Sequence, residues 1–335
     1  MIQFREAKVE DDPELTRLVA KPMPGDLSLS MARDPSFLRS CARCGPPRRV
    51  LVAEKQGELM AVCTHFLWKY RVLDEVREIW TAADFRAESR AAGLSVTGLG
   101  WRALRDRLEG KPALISLVKD NPLSFKLFSK RRKGWPALHE VAQLQTLMLP
   151  LAAIPKLRPK IGLFQPVSSQ ICELNRLDKR HLRPELKEED IGRVTPGEES
   201  FLAQHDGVGL SACGALWDLS EYRQIKIAGY GGLYAKLKRW CAPILPEKGS
   251  QVRVSFASFL RGTCRNSLGN VFQGLVLRAR ERGSQFLVWG GDISEDPPFP
   301  KYWPHFRMES TLFQLRWKGD EQLPRGFCGY EVAWL

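Results

Sequence analysis

The spacing of apolar and polar positions along the chain predicts alternating strands and helices. Residues 50–54 and 59–70 are apolar runs, and the sequence Lys-Gln-Gly-Glu at residues 55–58 separates them. Two apolar runs joined by a short polar segment that contains glycine predict a β-hairpin. Residues 78–87 predict another strand.

Helices and further strands surround this hairpin in the first half of the chain. Helices are predicted from Pro13 onward and at residues 35–43, 98–108 and 123–131. In the helix at residues 98–108 the leucines recur at helical spacing. Strands are predicted at residues 113–118 and 141–149.

Prolines mark a boundary near the middle of the chain, at positions Pro150, Pro155, Pro159 and Pro166. Proline fixes the backbone angle φ and blocks helix continuation, so this stretch is typical of a linker. We therefore predict one domain over residues 1–155 and a second over residues 156–335.

The second half repeats the later element order of the first. Strands are predicted at residues 208–217, 250–260, 285–289 and 310–317, with a helix at residues 270–282. Residues 178–200 are charged and predict an irregular lead-in. The recurrence of strand, strand, helix and strand at a domain-sized period indicates a duplicated α/β (α+β) fold.

The composition of the chain predicts its cellular compartment and the charge of its partner. The 335 residues contain no run of 18 apolar residues and no signal-peptide pattern at the start, which predicts a cytoplasmic protein without a membrane span. The net charge of +13 lies mainly in the first 160 residues and favours an anionic partner, either nucleic acid or a phosphate-bearing cofactor. Cys41 and Cys44 lack a second ligand pair at metal spacing, so no metal is predicted.

The segment at residues 78–108 carries the sharpest chemical signal. A predicted strand ends there, a loop rich in Gly and Ala follows, and the predicted helix opens at Gly98-Leu99-Gly100. Backbone amides at a helix start are unpaired and favour an anion, and glycine lets a ligand approach closely. Arg86, Arg90 and Arg102 add positive charge. The pattern predicts a cradle for a phosphate or pyrophosphate.

Three strings give residues 1–150 a resemblance to the Gcn5-related N-acetyltransferase superfamily. They are IQFREAKVEDDPELTRLV at the start, GLGWRAL at the opening of the predicted helix at residues 98–108, and NPLSFKLFSKRRKGW after the following strand. The resemblance implies a mixed, largely antiparallel central sheet flanked by helices, and acetyl-CoA as cofactor. The second half lacks the GxG step at residues 261–270, so the resemblance there is to a degenerate copy that shapes the acceptor pocket.

The resemblance also implies a binding site between two strands that splay apart. The pantetheine arm would pair with the backbone of Phe85, Arg86 and Ala87. The pyrophosphate would meet the amides of Gly98, Leu99 and Gly100, or, in a second register, those from Arg90 to Gly93. Asn121 would either contact the cofactor or cap the next helix. The basic run at residues 130–133 would be a solvated helix end or a contact for the 3′-phosphate.

The chain departs from the family pattern at two positions. Ser95 stands where the family has Arg or Gln in the first register, and Phe128 stands where it has a proton-donating Tyr. Asp84 is the candidate general base, because burial near the splay would raise the pKa of its carboxyl. Glu78 and Glu88 are the alternatives, and an ion pair between Asp84 and Arg86 or another arginine would be a structural role instead.

These observations predict an acetyl-CoA-dependent N-acyltransferase that acts on a small-molecule amine by direct attack on the thioester. The altered positions leave a second hypothesis open, a catalytically silent acyl-CoA-binding or scaffold protein on the same fold. Nucleic-acid binding has no motif to support it. The acceptor, the acyl chain length and the oligomeric state are not indicated by the sequence.

Overall fold

The computed structural model describes residues 1–23, 27–128, 133–157, 175–207, 209–232, 235–236, 246–329 and 331–334. Five α-helices are considered below: α1 Asp12–Val19, α2 Phe37–Arg43, α3 Arg90–Arg105, α4 Pro122–Phe128 and α5 Arg265–Glu281. The predicted linker prolines Pro159 and Pro166 and most of the basic run, at residues 130–132, lie outside the described residues.

Strands of the first half confirm the predicted hairpin and lengthen it. The strands are β1 Gln3–Glu6, β2 Leu27–Ala32, β3 Arg49–Lys55, β4 Glu58–Val72, β5 Glu75–Ala87, β6 Ala113–Val118 and β7 Ala137–Pro150. The pair β3–β4 turns at Gln56 and Gly57, both with positive φ. Strand β2 was not predicted, because its alternating serines dilute the apolar signal.

Strands of the second half follow the predicted order with additions. They are β8 Leu182–Pro184, β9 Phe201–Asp206, β10 Gly209–Asp218, β11 Gln224–Tyr230, β12 Gln251–Val252, β13 Val254–Gly262, β14 Phe286–Asp292 and β15 Phe306–Arg316. The predicted strand at residues 250–260 is divided between β12 and β13, which belong to different sheets. Strands β8, β9 and β11 were not predicted.

One sheet of 12 strands runs through both halves of the chain. Its order is β1-β3-β4-β5-β6-β15-β7-β14-β13-β10-β9, with β8 paired to β4 outside this path. Strand β15, from the end of the chain, lies between β6 and β7, and β7 continues the sheet into β14. The two halves therefore exchange strands, and the predicted boundary after residue 155 follows the end of β7 without separating the sheet.

The two halves contain a similar strand–helix–strand arrangement. In each half a long strand pairs in parallel with the next strand, and a helix connects them: β5-α3-β6 and β13-α5-β14. Each first strand has a bulge at the same place, since the ladder skips Asp84 and Phe85 in β5 and Phe259 and Leu260 in β13. Asp84 and Phe259 both have positive φ. The central sheet is mixed and largely antiparallel, so the predicted fold class is confirmed.

A second, three-stranded sheet joins the two halves on one face. Its order is β12-β11-β2, and Gln224 of β11 pairs with Ala32 of β2 in an antiparallel register. The next residues outward from this pair are Arg223 and Arg33. The small sheet therefore brings together two arginines that are 190 positions apart in the sequence. The hydrogen bond between Asp34 and Gln224 beside them spans the same separation.

Candidate functional site

Strands β5 and β6 diverge near the middle of the first half. They pair in parallel from Trp80, opposite Ala113, to Ala82, opposite Ile115. Beyond that point β5 continues to Ala87 without pairing to β6, whose remaining residues pair with β15. The divergence coincides with the bulge at Asp84 and Phe85, where the β5 backbone leaves the ladder on its other side as well.

An apolar pocket lies between this part of the sheet and helix α3. It encloses about 530 Å³, counting the solvent at its mouth. Ala82 and Phe85 of β5, Cys63 of β4, and Trp101 and Gly100 of α3 are among the residues that line it. The walls are aromatic and aliphatic almost throughout, so the pocket suits a hydrocarbon group rather than a polar one.

Helix α3 begins eight residues earlier than the sequence predicted. Ser89 is its N-cap, and the Ser89 hydroxyl accepts a hydrogen bond of 3.2 Å from the amide of Ala92. The predicted helix start at Gly98 is therefore wrong. Gly98, Leu99 and Gly100 lie inside the helix, where amides are bonded within the helix itself, so the premise that these three amides are free does not hold.

The glycines of α3 have a packing role that explains their presence. A Cβ atom on Gly98 would lie 3.3 Å from the Trp135 indole, and one on Gly100 would lie 3.4 Å from the Phe4 ring. Leu99 is exposed on the outer face. The first turn, which starts at Arg90 and is followed by Gly93, lies at the end of β5 and matches the second register considered above.

The candidate base Asp84 is held by ion pairs. Its carboxyl oxygens lie 2.9 Å from Arg33 Nη2 and 2.8 Å from Arg48 Nη1, and the Thr64 hydroxyl donates to it over 3.0 Å. Arg33 and Arg48 belong to no predicted site, because they come from two separate loops and no local pattern distinguishes them. The side chain of Asp84 is 11% exposed, so the pairs are largely removed from water.

The arginines reverse the expected shift of the carboxyl group. Burial alone would raise the pKa of Asp84, but the positive charges of Arg33, Arg48, Arg223 and Arg86 together hold it well below its usual range. The expected elevation is wrong, and the ion-pair role is the one that the geometry shows. The alternatives Glu78 and Glu88 lie at the surface, where they pair with lysines and, for Glu88, also with an arginine.

The other predicted site residues lie around the same divergence. The Asn121 side chain accepts a hydrogen bond of 3.2 Å from the Ser124 amide, so Asn121 caps α4. Phe128 is buried against Phe85 and Trp101 and lines the apolar pocket. Arg86 is half-buried and donates to the Phe85 carbonyl over 2.9 Å.

The equivalent divergence in the second half is filled by the protein itself. Strands β13 and β14 pair as far as Ala257 and Trp289. Beyond them the Glu331 carboxylate accepts a hydrogen bond of 2.9 Å from the amide of Phe259, the bulge residue. A Cβ on Gly290 would lie 2.9 Å from Val332, which shows how tightly the final segment is packed there. The first divergence has no such plug among the described residues.

Two absences complete the description of the site. Within the described ranges, no group of three or more His, Cys, Asp or Glu side chains has the geometry to hold a metal ion. Cys41 and Cys44 are both free and buried. Of the helices that the structure describes, none has the length and apolar character needed to cross a membrane.

Comparison with known proteins shows a likeness of fold. N-myristoyltransferase of Saccharomyces cerevisiae, in a crystal structure with bound myristoyl-CoA, superposes with a TM-score of 0.60 at 9% identity over 94% of this chain and 82% of that one. A conserved protein of unknown function from Enterococcus faecalis V583, described as a probable N-acyltransferase, superposes with a TM-score of 0.51 at 9% identity over 94% of this chain and 72% of that one.

No family model matches the chain, and no curated protein matches it in sequence. At 9% identity the likeness concerns the fold alone. It confirms the acyl-CoA N-acyltransferase-like fold that the resemblance to the Gcn5-related superfamily implied.

Proposed function

We propose that this protein is an acyl-CoA-dependent N-acyltransferase. The observation that carries the proposal is the divergence of β5 and β6, which lies between an apolar pocket on one face of the sheet and a cluster of buried charge on the other. Neighbouring residues of a strand point to opposite faces. Accordingly Cys63 and Phe85 line the pocket, while Thr64 and Asp84 meet the arginines.

The cofactor is placed along the end of β5. Its pantetheine arm pairs with the backbone from Phe85 to Ala87, which β6 leaves unpaired. Its pyrophosphate meets the amides of Arg90 and Ala91 at the start of α3, since the amide of Ala92 is already bonded to the Ser89 hydroxyl. This arrangement takes the second of the two registers and gives Gly98, Leu99 and Gly100 no contact with phosphate.

The acyl group enters the apolar pocket. The walls of this pocket are almost entirely apolar, which suits a hydrocarbon chain, so we propose a longer acyl chain than the acetyl group first expected. The fold neighbour with bound myristoyl-CoA supports this proposal. Trp101 and Phe128 close the pocket on the helix side, where they contact each other.

The reaction is a direct transfer without a covalent intermediate on the protein. The neutral amine of the acceptor attacks the thioester carbonyl, the carbon–sulfur bond breaks, and an amide forms. The proton lost by the nitrogen passes through water to the thiolate of CoA, which leaves as the thiol. The sequence-based role of Asp84 as general base stays a prediction; its ion pairs and lowered pKa weigh against it.

Calorimetric titration with CoA, acetyl-CoA, octanoyl-CoA and myristoyl-CoA tests the cofactor. We expect binding that strengthens with chain length. Gly100→Leu places a side chain in the pocket and should weaken the long-chain esters at least about tenfold while leaving acetyl-CoA unchanged. Leu99→Ala, at the exposed neighbouring position, is the matched control. Failure of every CoA ester to bind would overturn the proposal.

A silent acyl-CoA-binding protein is the second candidate function. Phe128 offers no proton to the leaving thiolate, and Asp84 is engaged with two arginines. Release of free thiol from the bound ester, measured with a panel of amines, separates the two. Tight binding without thiol release for any amine would favour the silent protein.

A further inference from the structure

The cluster of buried arginines around Asp84 carries more positive charge than its described partners balance. The four arginines whose charges act on Asp84 are Arg33, Arg48, Arg86 and Arg223. Four guanidinium groups against one carboxylate leave a formal charge of +3. In the part of the chain that the structure describes, no second carboxylate forms an ion pair with any of the four.

Several polar atoms of this cluster have no hydrogen-bond partner. They are Arg48 Nε, Arg86 Nε, and both Nε and Nη2 of Arg223. Arg223 is 4% exposed, and its guanidinium lies over the Phe256 ring. An arginine side chain stays charged in proteins, and a buried charge without a partner is costly. Among the described residues, the arrangement therefore lacks a second anion.

The free atoms of Arg223 define the kind of anion. Nε and Nη2 form one edge of the guanidinium, and this edge donates two parallel hydrogen bonds to a carboxylate. Arg33, which lies next to Arg223 at the end of the small sheet, and Arg48 already hold the carboxylate of Asp84. The free edge of Arg223 can therefore bind a second carboxylate close to Asp84.

We propose that the acceptor of the acyl group is a small amine that also carries a carboxylate, and that the Nε–Nη2 edge of Arg223 binds this carboxylate. This inference rests on the proposed function, because it names the acceptor of the same site. The arginines meet Asp84 on the side of the β5 bulge away from the acyl pocket. The proposal places the thioester at the divergence of β5 and β6, between the pocket and the arginines, within reach of the acceptor's amine. The nearby cations also lower the pKa of the acceptor's ammonium group and favour the neutral amine that attacks.

Thermal unfolding of the protein with and without small carboxylates tests the proposal. The probes are α-, β- and γ-amino acids at millimolar concentration, each compared with its own amide, in the absence and presence of CoA. We expect the acids to raise the melting temperature and the amides to leave it unchanged. In Arg223→Met the response to the acids should disappear, because the side chain keeps its length and loses both donors.

The ligand-free variant provides a second readout. Arg223→Met removes an unpaired buried charge, so we expect its melting temperature to rise by roughly 2–4 °C or more above that of the unaltered protein. A residue with a purely structural role would lower it. Arg43→Met, at an exposed arginine of α2, is the matched control and should change neither the melting temperature nor the response.

Each outcome bears on one proposal. Three results would overturn the inference: an equal response to acids and amides, no response to either, or a response that survives in Arg223→Met. If neither acids nor amides raise the melting temperature, the charge of Arg223 is balanced within the protein. Titration of acyl-CoA into the same two proteins tests the proposed function separately, since Arg223→Met should bind it as before. With an active acceptor, KM for that acceptor should rise roughly 10- to 100-fold in Arg223→Met.

Discussion

His65 is a buried histidine whose protonation at low pH should destabilise the fold. Its side chain lies in the core against Trp80, with a ring-centroid distance of 5.2 Å, and neither ring nitrogen has a hydrogen-bond partner. Burial, together with the charges of Arg49 and Arg107, lowers the pKa of His65 to about 4. The unfolded chain binds this proton near pH 6.5, so acidification from pH 6.5 to 4 favours the unfolded state.

We predict that the protonation of His65 lowers the free energy of unfolding by about 3 kcal/mol between pH 7 and pH 4, since one pKa unit corresponds to 1.36 kcal/mol. Urea unfolding of the unaltered protein and of His65→Phe, at both pH values, measures it. The phenylalanine variant should lose less stability on acidification by that amount. Equal losses in the two proteins would mean that His65 is not the group that titrates.

Asp84 offers a residue-level test of its two roles. If the carboxylate is structural, Asp84→Asn leaves the arginines without their counter-ion and should reduce the free energy of unfolding by about 3–5 kcal/mol. Since the folded-state pKa is depressed, this contribution is present above pH 3.8, the usual value for Asp, and is lost only below it. Denaturant titration at pH 7 and at pH 3 follows the difference.

The double variant Asp84→Asn with Arg223→Met serves as the control for that test. Removal of one cation together with the carboxylate should restore part of the lost stability. A general base would behave otherwise, because Asp84→Asn would then abolish thiol release while the stability stayed within about 0.5 kcal/mol of the unaltered protein.

Residue identities could be predicted from the sequence only where the signal was local. Asn121 was considered as a helix cap because it precedes Pro122, and the structure shows the cap. The burial of Asp84 followed from its apolar neighbours. Its partners Arg33 and Arg48 could not be found in this way, because the pairs span 51 and 36 positions of the sequence.

At the scale of elements, the first turn of α3 carries both stability and the proposed pyrophosphate contact. Ser89 caps this helix through its hydroxyl oxygen. Ser89→Ala should cost about 1 kcal/mol of stability, whereas Ser89→Asp keeps a capping oxygen. The aspartate also places a negative charge where the pyrophosphate binds, so it should weaken acyl-CoA by roughly tenfold or more while preserving stability.

Comparison of these two variants by urea unfolding and by calorimetric titration separates the two roles. If only Ser89→Ala weakens the binding of acyl-CoA, the start of α3 contributes to binding through its structural order and not through a contact with the pyrophosphate. Undiminished binding in Ser89→Asp would place the pyrophosphate elsewhere. The change from Ser to Asp adds one carboxylate and little else, which makes the pair of variants a sharp comparison.

Most of the helices and strands could be predicted from the sequence, but the start of α3 could not. The hairpin β3–β4 and strand β6 have continuous apolar runs between clear turns, and the predictions match them. At α3 the glycines at positions 98 and 100 predict a helix start that the structure does not have. They are tolerated inside the helix because Trp135 and Phe4 pack against them, a tertiary contact that overrides low helix propensity.

At the scale of the whole molecule, the duplicated order was visible in the sequence but the exchange of strands was not. Strand β15 pairs with β6 over Ser310–Leu315 and with β7 along its whole length. Pairings between strands more than 150 positions apart, such as Phe306 with Met148 and Leu315 with Ala113, depend on global topology rather than on local pattern. The prolines predict a domain boundary after residue 155, and the sheet contains strands from both sides of it.

This exchange predicts that residues 1–155 do not fold as a unit. Without β15, the edges of β6 and β7 lose their shared partner, and apolar residues such as Leu114 and Leu144 are exposed beside the missing Leu312. We expect the isolated fragment to show no cooperative unfolding transition by circular dichroism. A fragment of residues 1–155 joined by a flexible linker to residues 303–334 restores β15 and should unfold cooperatively. Cooperative unfolding of residues 1–155 alone, with acyl-CoA affinity retained, would show instead that the first half is an independent domain.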